Sequence, residues 1–121
     1  MTHRLSTLLI IACMVLFASC GEGHHAKRLV ENFMKDDMGV ADYSVVSWTK
    51  LDSTFRVNDS VLTSMHQQAL SEKLVRQQPH YAQPTTKLLR ISLKYAVDKD
   101  TLTNTFYLDE KLQGVVGVKR N

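Results

Sequence analysis

The stretch TKLLRISLKYAVDKDTLTNTFYLDEKLQGVVGVK, Thr86–Lys119, decides the fold. Its first part has period two. Leu89, Ile91, Leu93, Tyr95 and Val97 alternate with Arg90, Ser92, Lys94 and Ala96, so one face of an extended strand is apolar and the other wet. Asp98-Lys99-Asp100 is a turn signal. Thr101 to Leu108 returns as a second strand with Leu102, Phe106 and Leu108 on one face. Asp109 to Gly114 turns again, and Val115 to Lys119 closes a three-stranded meander. An antiparallel sheet tolerates this one-sided burial, whereas a parallel sheet needs cover on both faces.

Working outward, Tyr43 to Lys50 (YSVVSWTK) is rich in β-branched and aromatic residues and predicts a further strand, with Tyr43 and Val45 on one side and Val46 and Trp48 on the other. Asp52-Ser53 reads as a turn or bulge, with Phe55 and Val57 either continuing the strand beyond it or starting a second short one. Asn58 to Gln77 predicts a helix, capped by Asn58 and stapled by Val57 against Leu62. Pro79 and Pro84 bound a loop that cannot remain helical. Ala26, Leu29, Val30, Phe33 and Met34 form a stripe at helical spacing within Ala26–Met38, and Gly39 is a natural stop. Asp36 and Asp37 fall at the negative end of that helix, where exposed acids at a frayed end are the expectation. The fold class is therefore α+β, in the order α-β-α-β-β-β. A four-stranded antiparallel sheet is covered by one or two helices. Its general shape resembles cystatin-like and NTF2-like folds, in which a sheet curls round a helix.

The N-terminus carries a different message. Leu8 to Ala18 (LLIIACMVLFA) is an apolar run of eleven residues behind the single basic residue Arg4. About 20 apolar residues are needed to cross a bilayer, so the run suits the central region of a secretory signal. Phe17-Ala18-Ser19-Cys20 then resembles the lipobox of bacterial lipoproteins, departing from it at Phe17, where leucine is usual. The resemblance covers only these first 20 residues. It implies cleavage between Ser19 and Cys20 and acylation of the Cys20 thiol, so that membrane lipid becomes the chain's first partner. Gly21 follows Cys20, and the lack of an aspartate there points, within that resemblance, to the outer membrane. The expected organisation is a signal peptide over residues 1–19, the lipidated cysteine and a flexible spacer over 20–25, and the α+β domain over 26–121. In the spacer, Glu22, His24 and His25 read as solvated rather than metal-binding.

Composition narrows the chemistry. Loss of Arg4 with the leader leaves fourteen basic side chains against twelve acidic, a net charge of +2, too small to argue for nucleic acid. No cysteine follows Cys20, which removes disulfides, thiolate zinc sites and cysteine nucleophiles from the rest of the chain. The sequence contains no G-x-S-x-G, no H-E-x-x-H and no glycine-rich phosphate or dinucleotide loop. Asp98, Asp100, Asp109 and Glu110 lack the glycine and late glutamate of a calcium loop and read as hairpin-turn acids. No metal or cofactor is expected.

Three functions remain open. The first is a non-catalytic envelope lipoprotein that binds a protein or small ligand, with Trp48, Tyr81, Tyr107 and the wet sheet face as the places to look. The second is a small NTF2-like enzyme using His66 or His80, which needs a histidine bonded to an acid inside a closed pocket. The third rests on Gln113-Gly114-Val115-Val116-Gly117, which resembles the Q-x-V-x-G motif of cystatins and implies protease inhibition. That role needs an exposed loop, whereas this segment reads as a turn running into a strand.

Overall fold

A computed structural model describes residues 21–121; the expected leader, with the expected cleavage after Ser19 and acylation of Cys20, lies outside the described residues. The elements are a helix α1 (21–36), strands β1 (Ser44–Trp48) and β2 (Asp52–Thr54), a helix α2 (Asp59–Ser71), and strands β3 (Leu88–Val97), β4 (Asp100–Asp109) and β5 (Val115–Arg120). The strands form one antiparallel sheet in the order β1-β3-β4-β5, with β2 also on β3. The α+β class stands, with five strands where four are expected.

The fifth strand comes from the Asp52-Ser53 segment. It does not turn; it pairs with β3 at Asp52↔Arg90 and Thr54↔Leu88, while β1 pairs higher up at Ser44↔Ala96 and Trp48↔Leu93. β1 and β2 are thus one edge strand broken in the middle. Thr49 stitches the break: its N–H donates to the Ser92 carbonyl at 3.0 Å and its hydroxyl accepts from the Ser92 N–H at 2.8 Å. A bulge at Val46 also corrects the alternation expected for this segment. Val45 opposes Tyr95 and Trp48 opposes Leu93, so both fall on the same face. Phe55 does not continue the strand and is left 69% exposed.

β3 and β4 keep unbroken register from Leu88↔Asp109 to Val97↔Asp100 across a two-residue loop, Asp98-Lys99. Asp98 holds φ 55°, a conformation that aspartate tolerates better than most residues. One sheet face carries Ile91, Leu93, Tyr95, Phe106 and Leu108, and it receives Ala26, Val30, Phe33 and Met34 of α1, all buried. The α1 stripe is thus the one read from the sequence. A smaller cluster of Leu62, Met65, Leu88, Tyr107 and Val116 lies where α2 meets the other face. Val57 packs against it, as the expected staple requires.

Both helices depart from their expected bounds. Residues 21–25, expected as spacer, are helical. The reason is the anchorage further on: Ala26 is fully buried, and the His25 Nε2–H donates to the Leu112 carbonyl at 2.9 Å, which together offset the cost of Gly21 and Gly23 in a helix. At the other end α1 stops as expected, with Gly39 at φ 69°. α2 starts at its Asn58 cap, whose side chain accepts from the Val61 N–H at 2.9 Å, but stops at Ser71, six residues short of Gln77. Lys73 takes φ 57°, its N–H donates to the Leu70 carbonyl, and the Leu74 N–H donates to the Ala69 carbonyl. This is a Schellman ending with lysine where glycine is usual. It turns Leu74 and Val75 into the core, where both are buried.

Candidate functional site

Two places bring functional side chains together. The first joins the end of α1 to the loop after α2. Asp37, expected as an exposed acid, is buried and its Oδ1 is a shared acceptor. Arg76 Nε donates to it at 3.0 Å and the His80 backbone N–H at 2.9 Å, and His80 Nδ1 lies 3.2 Å away. The Arg76 backbone N–H also donates to the Asp37 carbonyl at 2.8 Å. Asp36 remains exposed. Adjacent acids at a helix end therefore have opposite fates, because only one meets the returning loop.

Beside this cluster Tyr81 stacks on His66 at 3.9 Å between ring centroids, nearly parallel, and on Phe33 at 5.7 Å. The Tyr81 hydroxyl is buried without a hydrogen-bond partner. Burial, helped by the nearby Asp37 carboxylate, pushes its pKa up to about 12. A phenol so placed stays protonated at neutral pH and is no base. His66 donates from Nε2 to the Val116 carbonyl at 2.6 Å, so its ring is held by the sheet. A carbonyl can only accept, which fixes the proton on Nε2.

His80 does meet the distance test for a histidine–acid pair, but its surroundings differ from those of a general base. The Arg76 guanidinium lies against the same ring, its Nη2 in contact with Nδ1 and 3.0 Å from Nε2, so a cation rather than open space faces the imidazole. The imidazole is 78% exposed, and the groove alongside, lined by Asn32, Phe33 and Asp37, holds about 130 Å³. Pockets that enclose a small substrate run from roughly 300 to 1,000 Å³. The arrangement ties α1 to the 76–80 loop.

The second place is larger. A groove of about 670 Å³ runs between the first turns of α1 and the break in the edge strand, lined by Glu22, Gly23, Lys27, Trp48, Lys50 and Leu51 among others. Its wall is mainly apolar. Lys27 Nζ sits 5.7 Å from the Trp48 ring centroid, within cation–π range. Trp48 is half-buried there. Tyr107, named alongside it, is instead buried beneath α2, and Tyr81 is committed to its stack.

No protein-family model matches the chain, and comparison with curated proteins and with solved structures finds no match.

The remaining sequence candidates resolve individually. Gln113 is exposed, but Val115 and Val116 are buried and Gly117 lies within β5 against Leu62 and Met65, so the segment is not the exposed loop that inhibition requires. Asp109 is buried and structural: its Oδ1 accepts from the Gln113 and Gly114 N–H groups at 2.8 and 2.9 Å, tying off the last turn. Asp98 and Asp100 close the β3–β4 hairpin, while Glu110 is exposed 3.7 Å from Lys87. Among the described residues no three histidine, cysteine or acidic side chains converge as a metal site, and no helix is long and apolar enough to cross a membrane. Sequence reasoning missed the Asp37–Arg76 pair and the groove. Both depend on contacts between residues far apart in the chain, which leave no local periodicity to read.

Proposed function

We propose that this chain is a lipid-anchored, non-catalytic binding module of the bacterial cell envelope, held at the outer membrane by an acylated Cys20. The observation that carries the reading is the lipobox-like Phe17-Ala18-Ser19-Cys20 closing an apolar run of eleven, in a chain with no later cysteine. A secretory leader ending on a single thiol suits a tether. Two or more acyl chains bind a bilayer firmly where one does not, each buried methylene contributing about 0.8 kcal/mol. The Trp48 groove, within the size range of small-ligand sites, offers such a module a place to bind. Expression in a Gram-negative host tests this: wild type fractionates with membranes, and Cys20→Ala appears unprocessed or soluble. Wild type in the soluble fraction, leader attached, overturns it.

The His80–Asp37 contact favours a second reading, a small hydrolase or isomerase. It requires turnover that disappears in His80→Ala while the fold persists by circular dichroism. The Arg76 contact with the imidazole speaks against it.

A further inference from the structure

We propose that the Trp48 groove is the face with which the domain sits on the anionic phospholipid surface of the bilayer that holds Cys20. The inference rests on the lipid-anchor reading and deepens it.

Position argues first. The groove's lining includes Glu22 and Gly23, two and three residues beyond Cys20, and these residues are already helical. A helix rises about 1.5 Å per residue, so Gly23 lies only about 5 Å along the chain from the lipid-bearing residue. There is no spacer to hold this end of the domain away from the headgroups. Whichever way the tethered domain turns, the first turn of α1 and the edge-strand break beside it stay close to the membrane.

Chemistry argues second. Tryptophan is favoured at the headgroup level of bilayers, where its body is apolar and its N–H is wet. Trp48 is the chain's one tryptophan, half-buried at this groove. Lys27 and Lys50 flank it, against the single acid Glu22. Lysine bends an aliphatic stem over apolar surface while its ammonium reaches outward, and Lys27 already lies against the indole ring. Leu51 and Ile91 supply the apolar lining. An aromatic between two lysines complements an anionic headgroup layer over a hydrocarbon interior. Each lysine near such a surface favours docking about fivefold, an effect that salt screens.

The test uses the processed full-length protein. It is purified from membranes, its mass measured, and reconstituted into vesicles of three parts phosphatidylethanolamine to one part phosphatidylglycerol. Trp48 is then read by fluorescence, with acrylamide in the water and a spin-labelled phospholipid in the headgroup region as quenchers. Docking predicts screening from acrylamide and strong quenching by the lipid label. Added salt, or a change to purely zwitterionic vesicles, weakens both. Lys27→Glu with Lys50→Glu shifts Trp48 toward the water-exposed pattern with Cys20 still acylated. The single Lys50→Gln, at an exposed position outside any helix or strand, shifts it in the same direction by about fivefold in the docked ratio. Lys50→Arg retains the wild-type pattern. If the mass shows acylated Cys20 but Trp48 is quenched from the water as in detergent, docking is overturned and the anchor stands. Screening from both quenchers means the groove holds an acyl chain or another protein, and equally overturns it. An unacylated chain removes the anchor reading, and docking falls with it.

Discussion

Tyr81 holds a buried hydroxyl that nothing bonds, between an aromatic stack and a carboxylate. An unsatisfied buried polar group costs about 1–3 kcal/mol. Tyr81→Phe keeps the stack and removes that cost, so it should raise the unfolding free energy by about 1 kcal/mol in urea titration; a loss of stability would show that the hydroxyl is satisfied. The same residue sets an alkaline limit. The ordinary tyrosine pKa is 10.0 and the folded value about 12, so above pH 10 the unfolded chain ionises first. Stability then falls as pH climbs from 10 toward 12, and less so in Tyr81→Phe. Asp37 holds the returning loop, since its carboxylate accepts from Arg76 Nε and the His80 backbone N–H. Asp37→Ala should cost about 1–3 kcal/mol and free the 76–80 loop for faster amide exchange at His80. Lys73 at φ 57° is a position glycine adopts without strain. Lys73→Gly should therefore stabilise by about 0.5–1 kcal/mol, read as a shift of the urea midpoint at constant slope.

At the scale of elements, what could be read in advance followed from local periodicity and turn chemistry. The β3–β4–β5 meander, the α1 stripe, the Gly39 stop and the Asn58 cap all lie within a few residues of their signals. Where contacts between distant segments decide, the sequence was silent. A bulge at Val46 reverses the facing of Trp48, and nothing within YSVVSW marks it. α2 ends at a lysine because Leu74 and Val75 are needed in the core, not because a glycine breaks it. Glu22–His25 look like linker by composition, yet His25 is held by a carbonyl 87 residues away in sequence. The bulge has a further use. It interrupts an edge strand whose Val45 and Val46 are exposed and uncharged, and so blunts pairing with another chain. The α2–β5 junction offers an element-scale prediction. A Cβ on Gly117 would stand 2.9 Å from Met65 Sδ and 3.0 Å from Leu62 Cδ1. Gly117→Ala should push α2 outward at a cost of about 1–3 kcal/mol. A variant as stable as wild type would show that these flexible side chains move aside freely.

At the scale of the whole molecule, the fold and the leader make one argument. Among the described residues α1, α2 and the sheet close the core, and α1 is already helical at residue 21. The histidines that invite a catalytic reading are spent: His66 on a strand carbonyl, His80 between a carboxylate and a guanidinium. The Trp48 groove, at about 670 Å³, is open to a ligand and lies beside the first described turn of α1. Intact mass of the mature protein from a Gram-negative envelope tests this most directly. The account predicts a chain that starts at Cys20 and weighs more than residues 20–121 by a diacylglyceryl group, with or without a further amide-linked acyl chain. A mass matching unmodified polypeptide, or one retaining residues 1–19, contradicts it.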